Sequence, residues 1–307
     1  MKLTTVLLLL MTNLAKSQTP TPSFGKIVQI ENFKSAYIKE RNISIWLPEN
    51  YNQGKSKFSV LYMHDGQMLF DSNITWNKQE WKVDETITEL IRSKKITNTI
   101  VVGIWNGGSE RHNEYTPQKP FESLPLSYRD SIMNNGKRNN GAEIYSGTIT
   151  SDVYLKFIVQ ELKPFIDKNY RTKTNRNNTF IAGSSMGGLI SLYAICEYPE
   201  IFGGAACLST HWPVIFSNEN NLFPDAINNY LLAHLPSPKD HKIYFDLGDQ
   251  TLDAMYMPYQ KIIDETMKQK GFTSLNWETL EFIGDDHSER SWARRFHLPL
   301  KFLISKP

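Results

Sequence analysis

Short apolar, β-branched runs alternate along this chain with longer stretches whose apolar positions recur at helical spacing. The runs predict strands at 26–31, 36–47, 58–63, 99–105, 179–182, 204–208, 242–247 and 277–282. The longer stretches predict helices at 81–93, 152–168, 186–197, 225–235, 256–270 and 291–304. In the second of these, Tyr154, Phe157, Ile158, Leu162 and Phe165 form the expected buried stripe. Strand and helix in alternation imply an α/β architecture, a mostly parallel eight-stranded sheet flanked by helices. Two stretches break the rhythm, 106–147 and 209–225. Both follow predicted strands, on the side where open α/β sheets bind ligands, and are expected to form the rim of a site.

The N-terminus departs from the pattern. Lys2 precedes an apolar run from Leu3 to Met11, and Ala15 and Ser17 supply small residues before Gln18. A membrane span needs about 20 apolar residues, so this run reads as a secretory signal peptide at 1–17, removed to leave a single domain at 18–307. The mature chain is then expected outside the cytoplasm, secreted or periplasmic, with no stable membrane insertion. A net charge of +2 gives no electrostatic reason to bind nucleic acid. With only Cys196 and Cys207, the protein is not a disulfide scaffold, and both thiols are expected as small buried hydrophobes, although they could pair.

Candidate chemistry begins at Gly183-Ser184-Ser185-Met186-Gly187, which fits G-x-S-x-G between a predicted strand and a predicted helix. A sharp turn there would lift the Ser185 hydroxyl clear of the backbone, and the helix N-terminus would offer free N–H groups to an oxyanion. Serine needs a base, and in this chain order the base should follow the last strand, where His287 stands. The supporting acid should follow the seventh strand, where Asp249 and Asp253 both qualify and spacing does not choose between them. Oxyanion donors are expected at the amide of Met186 and in the loop His64-Asp65-Gly66-Gln67, from Gln67 or Gly66. His64 and Asp65 are expected to brace that loop. Neither an HExxH motif nor a paired-cysteine motif is present, and no metal or cofactor is expected.

With these pieces in place the chain resembles the esterase family of α/β-hydrolases that includes enterochelin-type esterases, feruloyl and acetyl-xylan esterases, formylglutathione hydrolases and mycolyltransferases. The resemblance rests on Tyr62–Gln67 with Leu69-Phe70-Asp71, on Val101–Asn106, on Gly183–Gly188, on Cys207–Trp212 and on Asp286–Glu289. It implies the α/β-hydrolase fold, Ser185 and His287 as nucleophile and base, and the Gln67 and Met186 amides as oxyanion hole. It favours Asp253 as the acid and treats Asp249 as a replacement of a threonine; Met68, in place of an asparagine, is a second departure. It also brings 209–213 and 111–115 to the site, with His211 and Trp212 as substrate-binding residues. The implied activity is hydrolysis of carboxylic esters, with acetyl or feruloyl esters on polysaccharides as substrates. A siderophore lactone or another small esterified metabolite is the alternative substrate, and a non-catalytic hydrolase-like binding protein the alternative class.

Overall fold

A computed structural model describes residues 18–138, 141–217 and 219–306; the leader expected at 1–17 lies outside the described residues. Eight strands form one sheet: β1 (Lys26–Phe33), β2 (Arg41–Leu47), β3 (Ser59–His64), β4 (Thr99–Ile104), β5 (Thr179–Ser184), β6 (Gly204–Leu208), β7 (Lys242–Gly248) and β8 (Trp277–Phe282). Their spatial order is β1-β2-β4-β3-β5-β6-β7-β8. Only the β1–β2 and β2–β4 pairings are antiparallel. The mostly parallel sheet expected from the apolar runs is therefore present.

Helices cover both faces: α1 (Val83–Arg92), α2 (Arg111–Tyr115), α3 (Gln118–Glu122), α4 (Leu126–Asn135), α5 (Ser151–Lys156), α6 (Lys163–Asn169), α7 (Met186–Glu197), α8 (Phe223–His234), α9 (Met257–Gln269), α10 (Glu289–Arg295) and α11 (His297–Ile304). Successive strand residues point to opposite faces, so Val60 and Tyr62 join one buried cluster with α7 to α9. Leu61 and Met63 join the other, with α1, α10 and α11. No helix among the described residues is long and apolar enough to cross a membrane.

Four expectations are corrected. The strand expected at 36–47 begins only at Arg41. Before it, Ser35 Oγ accepts from the Tyr37 and Ile38 amides and Glu161 accepts from the Ala36 amide, so side chains take the bonds a ladder would need. The helix at 152–168 forms but widens into a π-helical stretch at Phe157–Leu162; Pro164, just beyond, has no N–H to continue the ladder. The helix at 291–304 is broken at Phe296 into α10 and α11, and Pro299 denies the Arg295 carbonyl its intrahelical donor. The stretch 106–147, expected as loop, holds α2 to α4 and buries Tyr115, Phe121, Ile132 and Tyr145. It is pinned from below by the buried pair of Arg41 and Glu114, bonded at 2.9 and 2.6 Å. Cys196 and Cys207 are both free and buried.

Candidate active site

β5 runs straight into α7 through Ser185, whose backbone sits at φ 58°, ψ −125°. That conformation is strained for any residue with a side chain. It is held from both sides: the Ser185 amide donates to the Leu208 carbonyl at 2.9 Å, and the Ser185 carbonyl accepts from the His211 amide at 3.2 Å. The flanking glycines are needed for space. A Cβ on Gly183 would lie 2.7 Å from the Gly187 carbonyl carbon, and one on Gly187 would lie 3.3 Å from Asp65 Oδ2.

The loop after β3 packs beside this turn. Asp65 takes a left-handed conformation, φ 56°, and a short 3-10 turn at Gly66–Met68 follows. Gly66 leaves room for β4, since a Cβ there would lie 2.5 Å from the Gly103 carbonyl carbon. Asp65 is braced by Arg111 at 2.6 and 2.7 Å and by Asn106 at 2.7 Å. Burial works against its charge, but Arg111 and Asn106 outweigh that and hold the carboxyl below its usual range. His64 bonds the Tyr154 hydroxyl at 2.8 Å. Both residues thus brace the loop. The amides of Gln67 and Met186 belong to the first turns of their helices, where N–H groups have no intrahelical acceptor. Met68 points into the core with Leu69 and Phe70.

Asp253 lies on the 3-10 turn Thr251–Met255 after β7. Its Oδ1 meets His287 Nδ1 at 2.5 Å, and its Oδ2 accepts from Ser209 Oγ at 2.5 Å and the Gly248 amide at 2.6 Å. Burial would raise this carboxyl, but the bonds from His287, Ser209 and Gly248 lower it overall. Asp249, the other contender, accepts from the Gly284 amide at 2.7 Å and ties the turn after β7 to the turn after β8. It makes no bond to His287. Asp246, inside β7, pairs with Arg295 at 2.9 Å, yet burial keeps it raised to about 6.

Around this pair stands a layer that sequence reasoning missed. Ser209, at the end of β6, gives its proton to Asp253 and accepts from Trp292 Nε1 and Arg295 Nη2, each at 2.9 Å. The Trp292 ring also meets the His287 ring edge-on, centroids 5.0 Å apart. Tyr256 is fully buried; its hydroxyl bonds His211 Nδ1 at 2.6 Å, and its ring lies 5.8 Å from that of His287. His211 ties Ser185 to this group, its amide donating to the Ser185 carbonyl and its ring bonding Tyr256. The sequence brought Ser209 to the site without its role and gave no signal for Tyr256, because their partners are remote in sequence.

The substrate-binding expectation for His211 and Trp212 is corrected. Trp212 is 1% exposed, packs on Phe245 and donates to Gln260 Oε1 at 3.2 Å, so its indole belongs to the core and offers no face to a ligand. His211 is also buried, its amide bonded to the Ser185 carbonyl and its ring packed on Phe216. Burial, with His287 and the Arg111 guanidinium nearby, pushes it down to about 3, which leaves it neutral.

Comparison with known proteins agrees with this architecture. The chain is 23% identical over 273 residues to the Uncharacterized protein YbbA of Bacillus subtilis, covering 87% of this chain and 93% of that one. It is 27% identical over 275 residues to the Endo-1,4-beta-xylanase/feruloyl esterase of Xylanibacter ruminicola, covering 88% of this chain and 30% of that protein. The crystal structure of an IroE-like serine hydrolase from Shewanella oneidensis shares the fold, with TM-score 0.65 and 19% identity over 91% of this chain and 80% of that one. The model of the Esterase family matches residues 35–297, and the chain belongs to that family: it is an ester hydrolase built on the α/β-hydrolase fold.

Proposed function

We propose that Ser185, His287 and Asp253 act as nucleophile, base and acid in hydrolysing carboxylic esters through an acyl-enzyme. The observation that carries this reading is the 2.5 Å bond between His287 Nδ1 and the buried carboxylate of Asp253. With Nδ1 committed, Nε2 is the nitrogen left to take the serine proton. Ser185 Oγ attacks the ester carbonyl as His287 takes its proton. The oxyanion is held by the Gln67 and Met186 amides, and His287 returns the proton to the departing alcohol. Water then repeats the sequence against the acyl-serine and releases the acid.

The reading extends to a secreted enzyme that starts at Gln18. Treating producing cells with a fluorophosphonate probe checks both parts. The expected product carries one adduct, on Ser185, in a chain whose mass begins at Gln18. A folded protein that stays unlabelled would remove the nucleophile, and a labelled chain retaining residues 1–17 would remove the leader.

For the substrate we favour acetyl or feruloyl esters carried on polysaccharide. This is supported by the apolar leader read in the sequence at 1–17 and by the likeness to the Xylanibacter ruminicola protein over 88% of the chain. A panel of acetylated xylan, feruloylated oligosaccharide, short aryl esters and a macrocyclic lactone is expected to give its highest kcat/KM on one of the first two. A preference for the lactone would transfer the assignment to small esterified metabolites.

A further inference from the structure

The most exposed large apolar side chain among the described residues is Trp76, at 84%. Its indole has no hydrogen-bond or ring partner among those residues, yet the loop that carries it, from Asp71 to Trp81, is fixed. Asp71 Oδ1 accepts from the Asn73 amide at 2.9 Å, Thr75 Oγ1 donates to the Ser72 carbonyl at 3.0 Å, and Lys78 Nζ donates to the Asn73 carbonyl at 2.6 Å. An indole on so braced a support loses little freedom when something binds it.

The loop is clamped to the residues that follow His287. Asn77 Nδ2 donates to Glu289 Oε2 at 2.8 Å, and Gln79 Oε1 accepts from the Arg290 amide at 3.2 Å. At the loop's end the Trp81 ring lies 5.3 Å from that of Trp292, which in turn lies 5.0 Å from that of His287. In the acyl-enzyme reading His287 returns a proton to the departing alcohol, so the alcohol half of the ester lies on the His287 side of the site. Trp76 stands on that side. Beside the loop a groove of about 460 Å³ runs between α1 and α10, bordered by Ser72, Lys78, Gln79, Glu89, Arg290 and Arg294. Its charges are of both signs, which suits a neutral ligand rich in hydroxyls better than a polyion.

We propose that Trp76 and this groove form a subsite for the sugar chain that carries the ester, occupied by carbohydrate units beyond the esterified one. The proposal rests on the polysaccharide-ester reading above, in which the alcohol half is a sugar. A sugar ring presents an apolar C–H face edged by hydroxyls. The indole offers a flat partner for that face, and the exposed Asn73 and Lys78 beside it offer polar partners for the edge. A lipid or protein surface would call for a contiguous apolar patch, and these polar neighbours interrupt one.

The test uses the polymer ester that the parent prefers, acetylated xylan or feruloylated arabinoxylan. Trp76→Ala is expected to raise KM on that polymer about tenfold, the order of one aromatic stacking contact, with kcat within about twofold. On p-nitrophenyl acetate, which has no sugar chain, kcat/KM should stay within about twofold of the parent. Trp76→Tyr, which keeps a flat ring, should recover most of the loss. Affinity electrophoresis through gels holding de-esterified xylan should retard the parent and not Trp76→Ala, a readout independent of turnover. Equal losses on polymer and aryl ester, or an unchanged KM on the polymer, would overturn the subsite. Binding of the parent to phosphatidylcholine vesicles, lost in Trp76→Ala while xylan retards neither, would give the indole to a lipid surface and overturn it as well. A parent that cleaves the aryl ester but no polymer ester would instead remove the polysaccharide reading, and the parent alone reveals that outcome.

Discussion

Ser185→Ala is expected to lower kcat/KM for ester hydrolysis by about 10⁴-fold or more, roughly 5.5 kcal/mol of transition-state stabilisation. The alanine keeps the Cβ and the elbow, and the Gln67 and Met186 amides, the proposed oxyanion donors, stay in place. What disappears is Oγ, and with it the covalent intermediate. Residual turnover would then measure what the oxyanion donors and binding achieve unaided. The comparison is made on purified parent and variant with one aryl ester, after confirming equal fold by circular dichroism. Near-parental activity in the variant would end the serine assignment.

The second large effect separates two carboxylates four residues apart. Asp253→Asn is expected to reduce kcat by about 10⁴-fold, because an amide facing Nδ1 favours the tautomer whose hydrogen sits on Nε2. That nitrogen could then no longer accept the serine proton. Asp249→Asn should stay within a few-fold of the parent, since its remaining amide oxygen can still accept from the Gly284 amide. Steady-state kinetics on the two variants decide the matter, and the assignment fails if only the Asp249 variant is crippled. The pair also separates catalysis from stability, as the carboxylate that ties two turns together and the one that meets the histidine are different residues.

Much of this site was readable because it is local. Strand, Gly183, Ser185, Gly187 and helix lie within one short stretch, and each element needs its neighbour to make sense. The eight strands were readable for the same reason, since alternation of buried faces is a property of consecutive residues. The errors arose where direction or distance mattered. Trp212 stands after the end of β6, where strand periodicity no longer tells which way a side chain points, and it turned inward. Asp249 and Asp253 share one segment, so the choice between them depended on the 3-10 turn that carries Asp253 toward His287. Ser209, Arg295 and Tyr256 act through partners far along the chain, such as Arg295 with Asp246, and nothing in their own surroundings announces those partners. Ser35 shows the converse: a β-favouring run failed to extend because a hydroxyl nearby offered its backbone a better bond.

The backbone at Ser185 bears on how such a chain is maintained. Holding a side chain at φ 58°, ψ −125° costs about 1–3 kcal/mol, which glycine would avoid. Selection for stability alone would therefore drift toward glycine here, and selection for turnover opposes it. With Ser185 as the proposed nucleophile, the lineage that produced this chain has tolerated a less stable fold to keep a reactive oxygen.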